Sequence, residues 1–86
     1  MEFKQLEMFV AVAEERSVVR AAARVYRTQP AVTMAVQKLE QEFGSSLFDR
    51  ARRFELTAAG KVLWDYAKKM LALREEAAQL VAERAR

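Results

Sequence analysis

Gln29, Pro30, Thr33, Met34 and Gln37 recur at short helical intervals in a segment that otherwise reads as one amphipathic helix, Gln29 to Phe43. A glutamine amide carries both donors and an acceptor, so Gln29 or Gln37 could bond an adenine edge bidentately. Thr33 could meet a base or a phosphate through its hydroxyl. Apart from Lys38, the outward face of this helix has no charge. That is odd for a surface that merely meets water, and it suits one that meets base edges. Thr28 and Lys38 are better suited to phosphates, which set register without reading sequence. A second basic group follows downstream. Arg52 and Arg53 at a hairpin tip fit the minor groove, where narrow A·T tracts concentrate negative potential. Arg50, beside Asp49, has an equal alternative in pairing with a carboxylate.

Other chemistries find little support. The 86 residues include neither cysteine nor histidine. There is thus no disulfide framework, no thiol nucleophile, no imidazole base, and no plausible zinc or copper site. Serine, lysine and carboxylate side chains are present, but they do not cluster beside a glycine-rich loop, so neither catalytic residues nor a cofactor site is expected. No stretch approaches the roughly 20 apolar residues of a membrane span, and the first residues lack the basic-then-apolar layout of a signal peptide. A cytoplasmic protein is the expectation. An apolar fraction of 52% argues for a folded chain. The net charge is only +3, but the pI of about 9.6 is compatible with an anionic partner.

The elements that must position these groups can be read in order. Phe3 to about Arg16 forms a first helix, with Leu6, Phe9, Val10 and Ala13 as its stripe and Met8 and Val12 widening it. Ser17 caps a short second helix, Val18 to about Tyr26, whose Ala21-Ala22-Ala23 run lets another helix approach closely. Arg27 and Thr28 make a turn. Thr28 then caps the third helix, where Pro30 is tolerated because a first-turn N–H is unbonded anyway. Val32, Val36, Leu39 and Phe43 commit one face of it to a core. Gly44 signals a left-handed C-cap. Leu47–Arg50 and Phe54–Leu56 read as two short strands around the tip Ala51–Arg53. Thr57 caps a fourth helix of about 27 residues, on the order of 40 Å long at 1.5 Å per residue. In it Leu63, Tyr66, Met70, Leu73, Ala77 and Leu80 follow the 3-4 spacing of a coiled-coil seam. The fold class is therefore mainly α.

The ordered string Ser17, Arg20-Ala21-Ala22, Gln29-Pro30-Ala31, Leu39-Glu40, Gly44, Leu47-Phe48-Asp49-Arg50, Arg53, Leu56-Thr57 and Ala59-Gly60 resembles the DNA-binding domain of LysR-type transcriptional regulators. The opening, with Gln5-Leu6 and Phe9 to Glu14, is similar as well. The resemblance implies a winged helix-turn-helix, three helices and a small two-stranded wing, over residues 1–57, followed by a linker helix over 58–86 that pairs two subunits. It also implies bacterial-type transcription regulation on double-stranded DNA. The linker helices would run antiparallel in a homodimer on an inverted-repeat site, with tetramers in full-length members. Such members carry a periplasmic-binding-protein-like effector domain after the linker. None is present here, so the expectation is the N-terminal part of a larger regulator. The chain departs from the family pattern at Val18, usually aromatic, and at Val25, usually leucine. Thr33 replaces a common serine, and Met34 stands where a polar residue is frequent. A thioether has no bidentate donor for guanine, so contact there should be apolar, for example with a thymine methyl. The wing is one residue short.

A protein-interaction module is the competing class. It should expose several large apolar anchors on the third helix, whereas only Met34 stands out there. Steep loss of DNA affinity with rising salt separates the two readings.

Overall fold

The computed structural model describes residues 1–85; Arg86, the last residue assigned to the linker segment, lies outside the described residues. The elements are α1 (Phe3–Glu15), α2 (Val18–Val25), α3 (Gln29–Phe43), the antiparallel strands β1 (Phe48–Asp49) and β2 (Glu55–Leu56), and α4 (Ala58–Arg84). This is a winged helix-turn-helix continued by a long helix.

Three helices begin where a hydroxyl can satisfy an orphan backbone donor. Ser17 accepts from the Arg20 N–H at 3.1 Å, Thr28 from the Ala31 N–H at 3.2 Å, and Thr57 from the Gly60 N–H at 3.0 Å. α3 ends at Gly44, whose φ of 63° is open to glycine at no steric cost. α1 and α2 end differently: Arg16 and Tyr26 occupy the left-handed region at φ 52° and 56°. A side chain there is strained by roughly 1–2 kcal/mol.

The core gathers Leu6, Phe9 and Val12 of α1, Val32 and Leu39 of α3, and Leu47. Ala21 and Ala22 are buried where α2 crosses α1, while Ala23 faces outward. The expected core face of α3 needs one correction. Phe43 is 45% exposed, and Ala35 is buried between Val32 and Val36. Phe43 is the last residue of α3, and its ring lines an open apolar groove with Met1, Val62 and Tyr66.

The wing also differs in detail. Each strand has two residues, paired Phe48 with Leu56 and Asp49 with Glu55. Arg50, expected in the first strand, opens a 3-10 turn, Arg50–Arg52, because Asp49 Oδ1 accepts the Ala51 N–H at 3.1 Å and bends the chain early. Phe54 leaves the second strand at φ 58° and places its ring 5.9 Å from Phe48. The base of the wing is tied to α3 by Glu40, whose carboxylate accepts the Leu47 N–H at 2.8 Å.

The first turns of α4 belong to the same core. Gly60, Leu63 and Ala67 are buried, and Trp64, Met70 and Leu71 pack beside them. The Trp64 indole N–H is buried without a partner among the described residues, and the Lys68 ammonium lies 3.4 Å from the ring centroid. Farther along, Arg74 pairs with Glu7 at 2.7 Å. Residues 75–85 are exposed all round and carry the helix away from the globular part.

Candidate nucleic-acid interface

The outward face of α3 holds the groups that sequence reasoning singled out. Gln29, Pro30, Met34, Gln37 and Lys38 are exposed on it, and Thr33 is half-buried. The side chains of Gln29, Thr33, Gln37 and Lys38 make no hydrogen bond among the described residues. Amides left free of internal partners keep their full donor and acceptor capacity for a ligand. Thr28 sits at the N-terminus of the same helix, where its hydroxyl is engaged in capping.

Charge around this face is one-sided. Residues 16–39 contain five basic side chains and no acidic one. Two of the five are neutralised locally. Arg24 reaches Glu14 at 2.7 Å and Glu15 at 3.4 Å, and Arg20 lies 3.7 Å from Glu15. The Glu14 hydrogen bond, with smaller help from Glu15, raises the Arg24 pKa above its ordinary value. Arg27, in the turn before α3, and Lys38 have no carboxylate partner among the described residues.

At the wing the three arginines have different surroundings. Arg50 faces the Glu40 carboxylate of α3 at 3.9 Å and stacks 5.8 Å from the Phe54 ring centroid. The adjacent Asp49 is matched by Arg52 instead, at 3.8 Å. The carboxylate within 4 Å of Arg50 is thus that of Glu40 and not that of Asp49, and the Arg50 side chain is still 57% exposed. Chain reversal turns Arg52 back over Asp49, and the strand base brings Arg50 to α3. Arg53, at φ 54°, is exposed and its side chain has no partner among the described residues.

Two features escaped sequence reasoning. Arg16 donates from Nη2 to the Arg52 carbonyl at 3.0 Å and from Nε to the Arg53 carbonyl at 3.3 Å, joining the α1–α2 corner to the wing tip. Tyr26, in the turn between α2 and α3, is 94% exposed. Neither residue type announces a left-handed position, so no local signal could have found them.

The expected seam on α4 divides between two surroundings. Leu63 is buried in the chain's own core, and Met70 is half-buried against it. Tyr66, Leu73, Ala77 and Leu80 are exposed, as are Val62 and Val81 beside them. An open groove of about 490 Å³ lies at the base of this stripe, lined by Met1, Phe43, Val62, Leu63, Tyr66 and Met70 among others. Among the described residues there is no acidic cluster that could hold a metal ion, and no helix is long and apolar enough to cross a membrane.

A family model described as bacterial regulatory helix-turn-helix protein, lysR family, matches residues 3–61. The HTH-type transcriptional regulator TfdT of Cupriavidus pinatubonensis is 51% identical over 74 residues, covering 85% of this chain and 32% of TfdT. ClcR of Pseudomonas putida, also an HTH-type transcriptional regulator, is 46% identical over 76 residues, covering 87% of this chain and 26% of ClcR. The chain therefore spans a third or less of these relatives. Among solved structures, the CbnR DBD–DNA complex superposes with a TM-score of 0.92 at 39% identity, covering 100% of each chain. The BenM DBD bound to benA site 1 DNA gives 0.93 at 34% identity, covering 99% of this chain and 97% of that one.

Proposed function

From the premise that the chain belongs to the lysR family and is a helix-turn-helix DNA-binding domain of the transcription-regulator type, we propose how it reads DNA. The N-terminal half of α3 enters the major groove, as in helix-turn-helix docking generally. Gln29 and Gln37 bond base edges, adenine best. Pro30, Thr33 and Met34 supply the contacts between them, and Met34 favours a thymine methyl. Thr28, Lys38 and Arg50 meet phosphates, and Arg52 and Arg53 approach the minor groove from the wing. The domain works in the cytoplasm as a homodimer on an inverted repeat. Residues 1–57 form the reading unit and 58–86 the pairing helix, and tetramers form in the longer regulator.

One observation carries the reading of bases: the outward amides of α3 are exposed and have no hydrogen-bond partner among the described residues. Apart from Lys38 that face carries no charge, which suits base edges better than bulk water. For pairing, the support is the exposed apolar stripe of α4 and the groove at its base, a combination that a second copy would bury.

The test is Gln29→Ala, measured on a sequence selected by the wild-type chain from a random DNA pool and on mixed fragments. Specific binding should weaken by about 1–3 kcal/mol while non-specific binding is spared. Equal losses on both would make Gln29 a phosphate contact and overturn its assignment.

A further inference from the structure

We propose that Arg16 is the positioning residue of the wing: its guanidinium fixes the tip so that Arg53 meets the minor groove. The inference rests on the reading that the wing enters that groove.

A hairpin of two residue pairs is marginal on its own, and its tip spends two consecutive residues, Arg53 and Phe54, at positive φ. Such a tip has many alternative conformations unless something outside the hairpin holds it. The Phe54 ring anchors one side, at 5.9 Å from Phe48. Arg52 is drawn toward Asp49 at 3.8 Å, but that pair lies within the hairpin and does not orient it on the body of the domain. The link that does so from the helix-turn-helix corner is Arg16, with hydrogen bonds to the carbonyls of Arg52 and Arg53 at 3.0 and 3.3 Å. A planar fork with donors on neighbouring nitrogens suits two successive carbonyls, which a single ammonium does not. With those carbonyls held toward the corner, the side chains of Arg52 and Arg53 remain exposed.

The backbone of Arg16 adds a second argument. At φ 52° a glycine would sit without strain, yet the chain carries a long cationic side chain there. Strain of this kind persists where the surrounding structure over-determines the backbone, and at Arg16 the two wing carbonyls are among the groups that do so. Arg16 has no carboxylate partner among the described residues, so its guanidinium is left to the two wing carbonyls.

A double-mutant cycle on the selected DNA site tests this, with A·T-rich and G·C-rich flanks compared in parallel. The variants are Arg16→Gly, which suits the left-handed backbone and keeps the fold, Arg53→Ala, and the two together. Arg16→Gly should lower the A·T-flank preference by about three- to tenfold, the scale of one ordinary hydrogen bond lost, and leave discrimination at the α3-read bases intact. Arg16→Lys should behave like Arg16→Gly. In the Arg53→Ala background the Arg16 change should add nothing, because the group it positions is gone. Additive losses would mean that Arg16 touches DNA itself and would overturn the inference. So would an unchanged flank preference in Arg16→Gly alongside a lost one in Arg53→Ala, with the wing reading left standing. If Arg53→Ala also changed nothing, the wing reading would fail instead.

Discussion

Ser17, Thr28 and Thr57 illustrate what a single residue can disclose. A hydroxyl next to a helical pattern answers a local need for a backbone acceptor, and all three cap the expected helices. Gly44 is legible for the same reason. Arg16, Tyr26 and Arg53 also adopt left-handed conformations, but arginine and tyrosine carry no such signal. Tyr26 makes the consequence measurable. It is 94% exposed, and its side chain has no hydrogen-bond or ring partner among the described residues. Little packing is lost on replacement, whereas asparagine tolerates this backbone region. Tyr26→Asn should therefore stabilise the domain by about 1 kcal/mol, raising Tm by roughly 4–8 °C. Thermal unfolding followed by circular dichroism checks this, and an unchanged or lower Tm would remove strain from the account of this turn.

α4 and the wing show how elements constrain each other. The Thr57 N–H bonds the Leu47 carbonyl at 3.1 Å, which brings the first turn of α4 directly over the residue that leads into β1. A Cβ on Gly60 would lie 2.1 Å from the Leu47 oxygen, and the obstacle is backbone, not a flexible side chain. In an exposed helix, replacing glycine by alanine stabilises by up to about 1 kcal/mol. Here overpacking at about 1–3 kcal/mol opposes and outweighs it. Gly60→Ala should accordingly lower the urea midpoint, and a rise would show that α4 does not sit so close. The Ala59-Gly60 pair was visible in the sequence, but the carbonyl that demands it is remote in the chain. The seam on α4 shows a related blind spot. Residues spaced 3-4 drift by about 20° per heptad on a straight helix. Leu63 and Leu73, ten residues apart, fall on faces roughly 80° apart at 3.6 residues per turn, about 50° of it from their places in the 3-4 pattern and the rest from this drift, one turned to the core and the other to solvent. The same limit applies to Phe43, whose periodicity fits the core but whose ring lines the open groove.

At the scale of the whole molecule, α4 gives an elongated body of 50 × 25 × 19 Å. A helix that leaves its own domain with Leu73 and Leu80 61% and 51% exposed invites a partner along that side. Wild type should sediment as a dimer at tens of micromolar. Leu73→Glu should sediment as a monomer and bind an operator with two half-sites far more weakly, since the second DNA contact would no longer be intramolecular. A monomeric wild type, or a mutant that remains dimeric, would sink the interface. The chain also supplies its own means of telling dissociation from unfolding. Its single tryptophan, Trp64, lies in the docked base of α4, with the indole N–H shielded from water and a lysine ammonium over the ring. Its fluorescence should be blue-shifted and slow to quench with acrylamide in both the wild type and Leu73→Glu, and should shift to the red only when the base of α4 detaches. The distal half of the helix is optically silent, so gain or loss of a partner there leaves the emission colour unchanged.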